Sequence, residues 1–362
     1  MIDFRYHLVS LISVFLALAV GIVLGAGPLR ESLGAQLAGQ VEQLRTEQDD
    51  LRAEAEDLRT QNDQLAGFIN EIGPELVAGT LEDNDVVVIS DHNSTRQAVQ
   101  HLTGLVEHAG ARSVPRISLQ PALWDPAAEQ RRSDAVDSVA GIAPVLLDRG
   151  LEDDEQVPAL IVTLLTQDSS AEVTPDLRSQ VWQVLIDNQL VTVDGDIPPR
   201  ASAVVYAAAE PAQFTVDSDD DPTAAERAQQ LLTVQSRLLA TLAQTRTPAV
   251  LSVATPHNDG TVGILRSVRG DSTFSELSTT DRLQSADGPV LAVLALIEQV
   301  RGGAGDYGTT ADADARVPGL PEAALINEQI EETTGTEGTG AGPGDTDPGS
   351  QDPAPSDGGG AE

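Results

Sequence analysis

The chain has 362 residues and a formal net charge of -36, which excludes nucleic acid as a partner, because phosphate contacts need clustered cations. It contains no cysteine, so disulfides, thiolate nucleophiles and Cys-ligated metal centres are excluded. It contains no lysine either; all 21 basic residues are arginine, which rules out lysine Schiff bases and a standard phosphate-binding P-loop.

From Leu8 to Ala26 runs LVSLISVFLALAVGIVLGA, nineteen residues without a charge. At 1.5 Å per residue such a helix reaches roughly 28 Å, the thickness of a bilayer's hydrocarbon core. A helix apolar on every face over that length belongs in lipid. A transmembrane helix is therefore predicted over 8–27, behind a cytoplasmic stub at 1–7. Its exit makes a poor cleavage site. Leu24 stands where a small residue is wanted for a cut after Ala26, and Pro28 follows a cut after Gly27. An uncleaved anchor follows, with the remainder of the chain outside the cytoplasm.

After Pro28 the apolar residues fall into heptads. Leu37, Leu44, Leu51, Leu58, Leu65 and Ile72 recur every seven residues, and Val41, Gln48, Ala55, Asn62 and Ile69 hold the companion positions. A coiled coil is predicted over 29–72, with Leu37, Val41, Leu44, Leu51, Leu58, Asn62, Leu65, Ile69 and Ile72 in its core. Asn62 side chains facing each other in a parallel dimer would bond together and disfavour other registers. The partner is a second copy of the chain or another coiled-coil membrane protein. Gly73-Pro74 is expected to end the helix.

From residue 81 the pattern changes to short β-branched runs between amphipathic helices. Strands are expected at 85–90, 114–119, 160–165, 191–193, 203–207 and 250–254, and helices at 95–109, 174–189, 223–245 and 289–300. Continuous apolar strands alternating with helices indicate a mostly parallel sheet covered on both faces, hence an α/β domain over 81–310. Asp217-Ser218-Asp219-Asp220-Asp221-Pro222 begins like a calcium loop, but Pro222 replaces the turn glycine and Ala228 stands where the closing Glu belongs, so a solvated turn is expected. From 331 to 362 the chain is rich in Gly, Thr, Pro and Ser, with eight acids and no base. A disordered acidic tail is expected there.

Gly303-Ala304-Gly305-Asp306-Tyr307-Gly308 matches a dinucleotide fingerprint in letters. That motif needs a strand before it and a helix after it, and here a helix precedes and breakers follow, so a plain loop is expected. His101 and His108 share one helix face two turns apart, about 10.5 Å, too far to chelate one ion together. His92 and His257 are better placed, each just beyond a predicted strand, at the edge where open α/β sheets hold ligands. Asp91 and Asp259 stand beside them in the same loops, and Glu210, beyond the predicted strand at 203–207, could join them. Asp91, His92, Glu210, His257 and Asp259 are therefore the candidate metal ligands, a set suited to Cu(II) or Zn.

The opening MIDFRYHLVSLISVFLALAVGIVLGAGPL, leading directly into the heptads and the α/β domain, resembles the actinobacterial copper transport outer membrane protein family, MctB. The resemblance covers roughly residues 1–310. It implies a cell-envelope protein of copper export or homeostasis, pore-forming in the outer membrane, with copper as the transported ion rather than a resident cofactor. It carries over no ligand motif. A spanning pore needs a closed barrel or several helices. The residues offer one membrane helix, so a pore wall would have to come from oligomerisation. Copper(I) sites favour Cys and Met, and Met1 is the only methionine.

The function expected is thus non-enzymatic copper transport or homeostasis at a membrane. The alternative is a coiled-coil membrane scaffold that recruits a cell-wall or division partner. An exported hydrolase built on His92, His257 and Glu210 is a third, weaker reading.

Overall fold

The computed structural model describes residues 4–210, 223–254 and 263–320, with side chains except at 25–38 and 153. The chain falls into two compact units, Met1–Ile72 and Gly73–Glu362. Helix α1 spans Phe4–Val77, so every described residue of the first unit is helical. Its segment Phe4–Leu24 has a mean hydropathy of 2.6, is exposed all round, and is long and apolar enough to cross a membrane. Further along, the heptad leucines lie open to solvent: Leu44 is 63% exposed, Leu51 65%, Leu58 57% and Leu65 62%. Val41 and Asn62 are exposed as well, and Ile69 and Ile72 are half-buried. Leu37 lies outside the described side chains.

Gly73-Pro74 does not stop the helix as expected; α1 continues to Val77. Pro74 removes one backbone donor and leaves the turn intact. Gly73 instead serves close packing, because a Cβ there would come within 2.8 Å of Val290 Cγ2. The helix ends where Gly79 takes φ +67°, a left-handed conformation that glycine adopts without steric cost.

The second unit is an α/β domain built on seven strands. They are β1 (Val86–Ser90), β2 (Arg116–Leu119), β3 (Val191–Asp194), β4 (Ala203–Ala208), β5 (Ala249–Val253), β6 (Ser278–Thr280) and β7 (Asp306–Tyr307). Their order across the sheet is β3-β2-β1-β4-β5-β6-β7. All neighbouring pairs are parallel except β2 with β3, where Arg116 faces Asp194 and Leu119 faces Val191. The helices are α2 (Arg96–His108), α3 (Glu129–Ile142), α4 (Asp153–Thr166), α5 (Pro175–Asp187), α6 (Ala224–Thr245), α7 (Ile264–Arg269) and α8 (Gly288–Val300).

Side chains of a strand alternate between faces, and both faces of the central strands are buried. Val87, Ile89, Val204, Tyr206, Leu251 and Val253 join one core with α3 to α7. The opposite face meets α2 and α8, which pack on each other.

The expected strand at 160–165 is instead part of α4. A short apolar run does not distinguish a strand from a helix buried on most sides. Val157, Leu160, Ile161, Val162, Leu164 and Leu165 are all buried, with α4 wedged against α3 and α6. The expected plain loop at 303–308 likewise contains the edge strand β7. Its glycines answer packing: a Cβ on Gly305 would strike the Tyr307 ring, and one on Gly308, at φ +136°, would strike Asp281. The acidic turn at 217–222 and the tail at 331–362 lie outside the described residues.

Candidate functional site

Strand order reverses between β1 and β4. The chain leaves β1 through α2 toward β2, and leaves β4 through α6 toward β5. Ligands of open α/β sheets bind in the crevice that such a reversal opens at the carboxyl ends of the strands. Asp91 and His92 follow β1 at that edge, and Glu210 follows β4 two residues beyond Ala208.

Asp91 is 1% exposed. Its Oδ2 accepts from the Tyr206 hydroxyl at 2.7 Å and from Gln235 Nε2 at 2.7 Å, while Oδ1 accepts from the Ala209 amide at 2.8 Å. Gln235 also donates to the Ala209 carbonyl at 2.8 Å. One carboxyl thus ties β1, β4 and α6 together. Burial pushes its pKa up to about 6 despite these donors.

Glu210 is buried too, and its pKa is pushed up to about 7, first by burial and then by the charge of Asp91. Asp91 ionises at lower pH, so Glu210 must lose its proton beside an existing anion. Glu210 Oε1 and Gln235 Oε1 are both buried with no hydrogen-bond partner among the described residues. Gly263 closes over this carboxyl so tightly that a Cβ there would overlap Glu210 Oε2.

His92 is half-buried, and burial lowers its pKa. Its Nδ1 accepts from the Ser94 amide at 3.1 Å and lies 2.9 Å from the Ser94 hydroxyl, so the imidazole caps the 3-10 turn Asn93–Thr95 that leads into α2. A polar cleft of about 770 Å³ opens beside Asp91 and His92, bordered by β2, β3 and the start of α6.

The structure therefore brings Asp91, His92 and Glu210 to one sheet edge. His257 and Asp259 lie outside the described residues. Among the described residues, no three His, Asp or Glu side chains form a group able to hold a metal ion. Asp91 is committed to internal donors, whereas Glu210 retains an oxygen with no partner among the described residues. Sequence reasoning missed Tyr206 and Gln235. Their signal was a polar group on an otherwise apolar face: Tyr206 within the buried strand AVVYAA, and Gln235 among Leu231, Val234, Leu238 and Leu242 of α6.

Comparison with known proteins adds an independent line. A copper transporter MctB of Mycobacterium tuberculosis (strain ATCC 25618 / H37Rv) is 27% identical over 318 residues, covering 85% of this chain and 96% of its own length. The copper transporter MctB of Mycobacterium bovis (strain ATCC BAA-935 / AF2122/97) matches to the same extent. That of Mycobacterium leprae (strain TN) is 29% identical over 331 residues, with the same two coverages. The family model described as "Copper transport outer membrane protein, MctB" matches residues 1–318, from the apolar helix through the last strand, and the chain belongs to that family.

Proposed function

We propose that this protein serves copper transport or homeostasis in the cell envelope, held to a membrane by Phe4–Leu24, with its α/β domain outside the cytoplasm. The family match over residues 1–318 carries the reading. A strain lacking the gene tests it: growth arrest at lower copper and raised cell-associated copper are expected, both reversed by the full chain. Unchanged copper tolerance and content would remove the proposal.

For the copper contact itself, Glu210 offers a buried oxygen with no hydrogen-bond partner among the described residues, and His92 brings an imidazole to the same sheet edge. His257 and Asp259 follow β5 in the sequence, and together with Asp91 they would complete an oxygen and nitrogen set suited to Cu(II). Glu210 near its pKa would exchange a proton for the ion. Titration of Cu(II) into the purified chain should give a site weakened at least tenfold by His92→Ala and by Glu210→Gln. Equal affinity in both variants ends this assignment. Passage through a pore would require several copies to build the wall, and conductance in planar bilayers with and without copper tests that step.

A second reading has its own observation. Four consecutive heptad leucines more than half exposed mark a helix face that needs covering. A coiled coil through 29–72, with a second copy or a membrane partner in cell-wall or division processes, would cover it. Normal copper tolerance combined with altered septation in the deletion strain would favour this role.

A further inference from the structure

The charges beside the heptad seam of α1 are sorted by side. Between residues 31 and 72 the only basic residues are Arg45, Arg52 and Arg59, each directly after a seam leucine and seven apart. On the other flank Glu47 and Glu54 stand directly before the companion positions Gln48 and Ala55. All five of these charged side chains are exposed. One edge of the apolar stripe is therefore basic and the other acidic. Solubility alone asks for no such sorting; pairing does.

Two copies of such a helix match in one direction. When they lie parallel, the flank before the seam of one helix meets the flank after the seam of the other, five residues further along. Glu47 then faces Arg52 of the second copy and Glu54 faces its Arg59, and the two-fold symmetry of the pair repeats both contacts. Antiparallel helices would set arginine against arginine and glutamate against glutamate. Within one helix Arg45 lies 3.9 Å from Glu42 and Arg52 lies 3.5 Å from Asp49, exposed pairs of little strength that leave these heads open to a second partner. Cross-seam pairs of this kind select direction and partner, while the leucines supply the strength.

Other features agree. Gln48 and Asn62 hold companion positions, where an in-register parallel pair sets each against its own counterpart for hydrogen bonding. β-Branched Val41 and Ile69 at the same positions, with leucine along the seam, favour two strands over three or four. Helix α1 runs unbroken from Phe4–Leu24 through the heptads. Copies anchored by that segment in one membrane therefore enter side by side, pointing the same way and at the same depth. The leucines that lie open in the single chain are the surface that such a pair covers.

We infer that the heptad face is covered by a second copy of this chain, parallel and in register, selected by the Glu47–Arg52 and Glu54–Arg59 pairs across the seam. This rests on the coiled-coil reading of 29–72 and names its partner and direction. It does not depend on the copper reading.

Because the chain has no cysteine, single thiols report its contacts cleanly. In membranes carrying the full chain, Val41→Cys and Ile69→Cys should each join chain to chain on oxidation with diamide, whereas Ala53→Cys, opposite the seam, should not. An antiparallel pair brings a residue to its own counterpart only near the middle of the overlap, so links at both 41 and 69 fix direction and register. In sedimentation of the detergent-purified full chain, the Glu47→Arg Glu54→Arg variant and the Arg52→Glu Arg59→Glu variant should each self-associate at least tenfold more weakly than the parent. Mixed one to one, they should regain the dimer mass, because every cross-seam pair is again of opposite sign. These positions are exposed, so thermal unfolding of the α/β domain should not move. A parent dimer that links at neither 41 nor 69, or charge variants that associate as tightly as the parent, would overturn the inference and leave a coiled coil of another kind. A monomeric parent would overturn it too, and capture of a different membrane protein through the same leucines would then keep the coiled-coil reading with another partner.

Discussion

Asp91 accepts three hydrogen bonds, yet its pKa still rises to about 6, because burial costs the anion more than its donors return. Glu210, buried beside Asp91, rises further, to about 7. Both values exceed the ordinary 3.8 and 4.5, so folding favours the protonated forms. Their contribution to stability is complete below the ordinary values and is lost as pH climbs through about 6 and about 7. For Glu210 the loss is on the order of 3 kcal/mol, at about 1.4 kcal/mol per pKa unit. Glu210→Gln stays neutral throughout, so urea unfolding from about pH 4.5 to 7.5 should show a flatter pH dependence in that variant. A slope equal to the parent's would mean that the buried carboxyl is ionised already at the lower end. Arg269 has a contrasting task. Only 2% of its side chain is exposed, and it donates to Thr279 Oγ1 at 2.7 Å, the Tyr307 carbonyl at 2.8 Å and Asp312 at 3.1 Å, with fully buried Asp281 at 3.7 Å. Asp281 in turn accepts from the Thr309 and Thr310 amides, so this one guanidinium and its carboxylate pin the chain beyond β7 to β6. Arg269→Met strands Asp281 without its guanidinium. It should cost about 3–5 kcal/mol in chemical denaturation, against the near-zero effect of a surface pair.

At the scale of elements, legibility followed how locally each element is determined. β1, β4 and β5 are continuous apolar runs that bury both faces, and their pattern alone announces them. β6 is Ser278-Thr279-Thr280, polar in letters but fully buried. Its hydroxyls are satisfied by tertiary partners: Thr280 donates to Ser252 at 2.7 Å, and Ser278 accepts from Gln299 at 2.9 Å. Such a strand exists only because its neighbours do, so no local pattern reveals it. α4 shows the converse, an apolar run whose helical state is set by the helices flanking it. The candidate site divides the same way. Asp91 and Glu210 were found through strand ends, whereas Tyr206 and Gln235 belong to the cluster only once α6 lies over β4. The heptads of α1 are legible from sequence and remain uncovered in the single chain. Changing Leu44, Leu51 and Leu58 together to serine should leave the α/β domain's unfolding unaltered. The same change should abolish self-association or partner capture by segment 29–72, since each leucine buried in a coiled coil is worth about 1.5–3 kcal/mol. Sedimentation of the detergent-purified chain checks it; an unchanged mass for the variant would show that the leucines do not form the contact.

For the molecule as a whole, charge and hydropathy assign the membrane attachment to one segment. A net charge of -36 gives no electrostatic attraction to anionic lipid, so polar contacts with headgroups cannot hold the chain in place. Phe4–Leu24 can, a helical stretch of 21 predominantly apolar residues whose side chains find no cover among the described residues. Burying an apolar stretch of this length in hydrocarbon yields tens of kcal/mol by area, far beyond what a carbonate wash can reverse. The full chain should therefore stay with membranes through alkaline carbonate and leave them only in detergent, while a chain lacking residues 1–27 should fractionate as a soluble protein with an unchanged domain melt. With the α/β domain outside the cytoplasm, as proposed, protease added to spheroplasts should cut it and spare the N-terminal stub, the side that carries Arg5. A full chain washed off by carbonate would remove the anchor itself, whereas a domain protected until the membrane is lysed would reverse the topology and place any copper bound by the sheet on the cytoplasmic side.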